Sequence, residues 1–183
     1  MSLYRINAYP IECVSSPYLS HWLLRNLITP LHLSTPLLTP SSRLKNCWNL
    51  PFNGVSVAMG GITVDKIVLD PALRELAHLV MDETIAVANA DIQKKHKTIL
   101  HGDERIHSYV LGDKEKKQMF DLSDGMGPYK TSTMIDLIER NPMEVKYLFR
   151  KPVERAKQLG VPVPHLETLV MQIEAYQRFH NLF

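Results

Sequence analysis

Lys45, Asn49 and Asn53 recur at four-residue intervals within the apolar segment that runs from Leu44 to Gly54. On a helix each such step advances about 400°, so the row drifts by only about 40° per step while climbing about 6 Å. One ammonium and two carboxamides therefore share a face, flanked by Trp48, Leu50 and Phe52. Polar groups in such surroundings are costly to bury without partners, and a small anionic substrate lying along the stripe is one such partner. The alternative stays open: a surface lysine, with asparagines that cap or bridge neighbouring helices. Two more candidates lie far downstream. Ser132 shares a helix face with Asp136 and could supply a hydroxyl, or it could be an ordinary capping serine. Glu144 falls three residues after Asn141, the reciprocal position of a capping box, and that role is compatible with a charged role in a site.

Helices must position these groups. The stripe segment reads as a helix over residues 42 to 59, bent by Pro51 about a turn upstream and ended by Gly60 and Gly61. Asp70 and Pro71 offer a cap followed by proline at the first helical position. Behind them Leu73, Leu76, Ala77, Val80, Thr84 and Val87 form one face of a long helix. A polar helix is expected from Asp103 to Leu111, a short one through Phe120, then a turn-rich stretch over residues 124 to 128. Tyr129 to Ile138 should be helical again. Asn141 to Glu144 reads as the start of a further helix, which Pro152 kinks or interrupts and Gly160 ends. Leu166, Leu169, Val170, Ile173 and Tyr176 mark a C-terminal helix. Strand signals are confined to residues 55–57 and 67–69.

Residues 1 to 42 differ. Pro10, Pro17, Pro30, Pro36 and Pro40 divide short apolar stretches, leaving room for one helix after Ser16 and an irregular arm from Leu31 to Ser42. The expected division is thus an arm over 1–42 and an all-α helical domain over 43–183. No glycine precedes Gly54, so nothing upstream of the stripe can form the glycine-rich turn that cradles a dinucleotide.

Composition narrows the function classes. A chain of 183 residues, 45% hydrophobic and 22% charged, is most simply one globular domain. A net charge of +2 and only short basic runs, at 94–97 and 114–117, read as solvated helix faces and argue against a nucleic-acid partner. No apolar run approaches the roughly 20 residues of a membrane span, and residues 1–12 have no signal-peptide core, so a cytoplasmic protein without a membrane partner is expected. Cys13 and Cys47 provide no disulfide framework. His96, His101 and His107 are not at zinc-ligand spacing, and no metal site is expected. A serine or cysteine nucleophile lacks a glycine elbow, which disfavours hydrolase chemistry.

Taken in order, Lys45-x-x-x-Asn49-Leu-Pro-Phe-Asn53-Gly with Trp48, Tyr129-Lys-Thr-Ser132-Thr-Met-Ile-Asp136, and Asn141-Pro-Met-Glu144-Val resemble the C-terminal domain of ketopantoate reductase, also called 2-dehydropantoate 2-reductase. Gly160-Val-Pro162-Val-Pro164 is similar to that family's last linker, and the likeness covers about Arg43 to Tyr176. The resemblance implies a helical bundle like the C-terminal domain of 6-phosphogluconate dehydrogenase, which in the family closes over a substrate beside an NADPH-binding Rossmann domain. By position, Lys45 matches the general acid, Asn49, Asn53 and Ser132 the substrate-binding donors, and Glu144 the carboxylate beside substrate and lysine. The chemistry suits them. Hydride delivery to a 2-keto carbon leaves an alkoxide that an ammonium can stabilise and protonate, neutral donors orient the acid, and a carboxylate keeps the lysine charged. Asn46 and Thr133 depart from the family, which usually has apolar residues there.

Because residues 1–42 are too short for a Rossmann domain, the expectation is a substrate domain with NADPH implied by the family but no cofactor-binding residues of its own. It would be inactive alone and dependent on a separate Rossmann-domain chain to reduce a ketopantoate-like 2-keto acid. The competing expectation is a non-catalytic dimerisation or protein-interaction module derived from this domain, self-associating as a homodimer through apolar surface.

Overall fold

The computed structural model describes residues 40–95 and 110–182. The helix expected after Ser16, the arm up to residue 39 and the polar helix expected from Asp103 lie outside the described residues, apart from its last two positions, which are not helical. All described elements are helical, with no strand among them, as the all-α expectation required. They are α1 (Pro40–Ala58), α2 (Val64–Leu69), α3 (Pro71–Lys95), α4 (Asp113–Asp124), α5 (Ser132–Glu139), a π-helical turn (Lys146–Arg150), α6 (Lys151–Leu159) and α7 (Pro164–His180). Both weak strand signals fall inside helices, residues 55–57 in α1 and 67–69 in α2.

The central element is α1, which packs against α2, α3, α5, the π turn and α7. Its burial explains its apolar sequence: Phe52, Val55 and Val57 are fully inaccessible to solvent. It starts at Pro40, two residues before the expected boundary, because proline is well suited to the first turn, where its missing N–H has no intrahelical partner to lose. It then runs on through Pro51 to the expected stop. Gly60 and Gly61 take left-handed φ values of 77° and 91°, and their amides return to Val57 O at 2.9 Å and Ser56 O at 2.8 Å.

Helix α3 begins as the sequence dictates, with Asp70 Oδ1 accepting from the Leu73 amide at 2.9 Å. Ala77, Val80, Thr84 and Val87 are buried on its inner face, with Leu73 and Leu76 packed at the edge. Halfway along, Glu83 performs a second capping task. Its two carboxylate oxygens accept from the His165 and Leu166 amides at 3.0 and 2.8 Å, placing a negative charge at the positive end of α7. Further cross-ties are ionic. Arg74 pairs with Asp124 and Lys116 with Asp82, joining α3 to α4, and Lys117 pairs with Asp121 within α4. These pairs account for part of the second basic run. Arg150 meets Glu174 through two bonds of 2.6 and 2.5 Å, and Arg155 Nε reaches Asp91 at 2.7 Å.

Three further boundaries differ from expectation, each for a local reason. Helix α4 continues one turn past Phe120 to Asp124. Helix α5 starts at Ser132 rather than Tyr129. The Tyr129 amide donates to Gly127 O and its carbonyl accepts from Val64 N at 3.0 Å, which holds it outside the helix, and Thr131 serves as the cap. The reciprocal cap expected between Asn141 and Glu144 does not form. Residues 141–144 are irregular and helical turns begin at Val145, while the Asn141 side chain donates to Glu139 at 3.0 Å. At Pro152 the helical backbone runs on without a break, and the hydrogen-bond pattern changes just upstream, where Lys146–Arg150 form a π turn. Gly160 ends α6 at φ 70°, and Leu166, Leu169, Val170 and Ile173 are buried along α7.

Close contact between α1 and α7 depends on Gly54. A Cβ there would lie 2.7 Å from Leu169 Cδ2 and 3.4 Å from a Phe149 ring carbon, and Leu169 is itself 1% exposed. In an unencumbered helix, replacing glycine by alanine stabilises by about 1 kcal/mol. Here Gly54→Ala is expected to destabilise by about 1–3 kcal/mol through overpacking, measured as a lower urea midpoint with unchanged slope.

Candidate functional site

Asn53 marks the place where distant segments meet. It is 1% exposed, and each side of its carboxamide has a protein partner. Nδ2 donates to the Asn49 carbonyl at 3.0 Å, one turn back on α1. Oδ1 accepts from the Thr133 amide at 3.0 Å and from Ser132 Oγ at 3.3 Å, both in the first turn of α5. The first turn of a helix leaves amides without intrahelical acceptors, and an oxygen from α1 satisfies one of them. Thr131 Oγ1 supplies a second cap, to Met134 N at 3.4 Å.

Of the candidate residues, the fold therefore brings Asn53 and Ser132 into direct contact across 79 positions of sequence. Lys45 and Asn49 lie on the same continuous helix, two turns and one turn before Asn53, both partly buried. Ser132 is exposed, and its hydroxyl contacts Asn53 Oδ1. Glu144 is exposed and stands near Asp136, one turn beyond Ser132 on α5.

The wall behind the stripe is aromatic. Trp48 and Phe52 stack with centroids 5.0 Å apart, and Tyr129 meets Trp48 edge-on at 6.1 Å. Trp48 Nε1 donates to Ser123 Oγ at 2.9 Å, which in turn donates to Met119 O at 2.7 Å, so the indole is fixed on its polar side too. Burial pushes the Tyr129 hydroxyl up from its ordinary range.

Asp136 carries the electrostatic signature of this face. Burial is the main cause that pushes its carboxyl above the ordinary aspartate range, with the charges of Glu144 and Glu139 adding to it and a hydrogen bond from Asn141 opposing it. Sequence reasoning places Asp136 on the Ser132 face without a role. It misses Thr131 and Thr133: the first is visible as a threonine preceding an apolar helical run, whereas the second contributes a backbone amide, which leaves no side-chain signal. Among the described residues no group of three His, Cys, Asp or Glu could hold a metal, and no helix is long and apolar enough to cross a membrane.

Comparison with known proteins gives the arrangement a context. The family model described as the ketopantoate reductase PanE/ApbA C terminal matches residues 40–177. A curated 2-dehydropantoate 2-reductase from Nostoc sp. is 30% identical over 130 residues, which is 71% of this chain and 35% of that protein. The solved 2-dehydropantoate 2-reductase from Geobacter metallireducens superposes with a TM-score of 0.61 at 30% identity, covering 74% of this chain and 40% of that one. A 2-dehydropantoate 2-reductase structure from Methylococcus capsulatus shares the fold, with a TM-score of 0.64 at 24% identity over 78% of this chain and 40% of that one. The chain thus spans well under half the length of the relatives it matches.

The raised Asp136 carboxyl has a defined effect on stability. The folded chain holds that proton more tightly than the unfolded chain, so the contribution is present at acid pH and is lost as pH rises through the unfolded value and then the folded one. Asp136→Asn should therefore raise the thermal midpoint at pH 7, and its advantage over the wild type should vanish as pH falls below the unfolded aspartate range. Calorimetric melts across pH 3 to 7 would read this difference.

Proposed function

This chain belongs to the ketopantoate reductase PanE/ApbA family through its helical C-terminal domain, and on that premise we propose that residues 40–182 form the substrate-binding half of an NADPH-dependent reductase of ketopantoate-like 2-keto acids. The supporting observation is the Asn53–Ser132 junction, which joins two of the family's motif segments on one face. Reduction of a 2-keto acid converts its carbonyl oxygen into an alkoxide. Lys45 is the general acid that stabilises this charge and supplies the proton. Asn49, Asn53 and Ser132 form the polar set that orients the acid, and Glu144 is the carboxylate that favours the charged form of the lysine.

The described residues do not fit the cofactor. They contain no strand to carry a phosphate-binding turn, and their first glycine, Gly54, lies mid-helix against Leu169. The remaining glycine pairs, at 60–61 and at 125 and 127, follow helices. In this reading NADPH binding belongs to a Rossmann domain outside the described residues, and a separate chain is one source of it. Holding two reactants in a productive pose contributes about 7–11 kcal/mol to barrier reduction, and the 183-residue chain without bound NADPH forgoes that contribution. It is inactive by itself in this reading.

A second reading has its own observation. Tyr147, Met171 and Phe179 are large apolar residues left 54%, 51% and 85% exposed, and they suit an assembly or dimerisation module.

Titration calorimetry with pantoate or ketopantoate tests the first reading. Binding is expected, and Lys45→Ala should weaken it by about 10-fold to 100-fold, as loss of a charge-assisted hydrogen bond does. Mixing the chain with NADPH and ketopantoate should give no NADPH consumption. Robust turnover would refute inactivity alone, and absent ligand binding together with self-association in light scattering would favour the second reading.

A further inference from the structure

We propose that His78 is an acid-sensitive latch: neutral, it stacks on Phe120 and holds α4 against α3, and protonated, it releases α4 together with the aromatic wall that α4 supports behind the stripe. The device belongs to the scaffold and does not depend on which ligand the stripe takes.

Its basis is a ladder of three rungs between the two helices. Arg74, His78 and Asp82 follow one another at one-turn intervals on α3, and Asp124, Phe120 and Lys116 face them in reverse order on α4. The outer rungs are ionic. Arg74 donates through Nη1 and Nη2 to the two oxygens of Asp124 at 2.5 and 3.0 Å, and Lys116 Nζ lies 2.6 and 2.7 Å from the two oxygens of Asp82. The middle rung is a ring stack. The His78 and Phe120 planes are 11° from parallel with centroids 3.5 Å apart, and Phe120 is 3% exposed.

An imidazolium is badly placed on that rung. Both neighbouring carboxylates are already engaged by a cation, and among the described residues His78 has no hydrogen-bonded acceptor. The charged groups around the ring are Arg74 and Asp82 on its own helix and Lys116 and Asp124 on α4. Burial is the first cause that holds the ring below the ordinary histidine range, the two cations add to it, and the two carboxylates oppose it. A phenyl face attracts cations, but the Arg74 guanidinium already stands 5.3 Å from the centroid of this one. The docked form thus holds the proton more weakly than the unfolded chain. Its contribution is complete above the unfolded histidine range, falls as pH drops through that range, and levels off below the folded value. By the same linkage, protonation shifts the population toward undocked α4.

Release of α4 reaches the stripe through the aromatic wall. Phe120 meets Phe52 at 5.6 Å, Ser123 accepts from Trp48 Nε1 at 2.9 Å, and Phe52 and Trp48 are the stacked pair on the stripe helix. A 12-residue helix is marginal without tertiary packing, so undocked α4 also loses its own amide protection.

Amide exchange on the full chain tests the latch, followed by NMR between about pH 8 and pH 5 and corrected for intrinsic rates. Protection of the Phe120 and Ser123 amides on α4 should fall about fivefold over that span, while Val170 and Ile173 on α7 keep theirs. His78→Phe retains a flat ring against Phe120 but cannot titrate, and it should abolish the fall. His78→Gln takes its place should the phenyl variant not fold. Lys116→Gln removes one flanking cation and frees Asp82 to hold an imidazolium, so the fall should shrink. In the wild type the His78 ring resonances should titrate below the unfolded histidine range. An equal loss of protection on α7 would mean that the whole bundle weakens and would overturn the proposal. So would no fall on α4 in the wild type, an unchanged fall in the non-titrating variant, a larger fall in Lys116→Gln, or titration of His78 at or above the unfolded value.

Discussion

The carboxamide of Asn53 is the constraint on which the candidate site depends. A buried amide must satisfy a donor and an acceptor at once, and here it does so with the backbone of its own helix on one side and the start of α5 on the other. Sliding either helix along the other would leave a buried polar group unpaired, which costs more than an ordinary hydrogen bond contributes. The polar stripe is thereby made rigid at its lower end. Lys45 and Asn49 inherit that placement because a continuous helix connects them to it, and the stacked Trp48 and Phe52 pack along the same helix.

Around this junction the bundle uses charged side chains as cross-ties between helices rather than as surface decoration. Glu83 reaches from the middle of α3 to the first amides of α7, and Arg150, Arg155 and Arg74 each join two elements. Exposed pairs of this kind contribute little individually. Glu83 is different, since its side chain is 11% exposed and it satisfies two backbone donors as well as standing at the positive end of a helix dipole. It aligns α7 with α3, and α7 in turn packs Leu169 against Gly54 on the helix that carries the stripe.

Much of this is legible in the residues, where local rules decide the outcome. Asp70 before Pro71, Gly60 and Gly61 after an apolar run, and Gly160 after α6 are all where capping and left-handed backbone require them. What escapes sequence reading depends on tertiary partners. Tyr129 reads as part of α5 because nothing in its neighbourhood indicates that its carbonyl is needed by Val64. Asn141 and Glu144 have the right spacing for a reciprocal cap, yet the helical turns begin only at Val145 and Asn141 turns to Glu139. The stripe itself is visible as a pattern, but the double commitment of Asn53 is not, because its acceptor oxygen is used by a backbone amide 80 residues away. Spacing identifies which groups share a face and is silent on which of them is already occupied.

The same long separations govern how this molecule assembles. Trp48 meets Ser123 across 75 positions, Asn53 meets Thr133 across 80, and Glu83 meets Leu166 across 83. Helical proteins commonly fold fast because their contacts are local, whereas each of these ties requires a large loop to close before any reward is collected. The ties between helices in this bundle therefore carry a larger loop-closure cost than the hydrogen bonds within each helix.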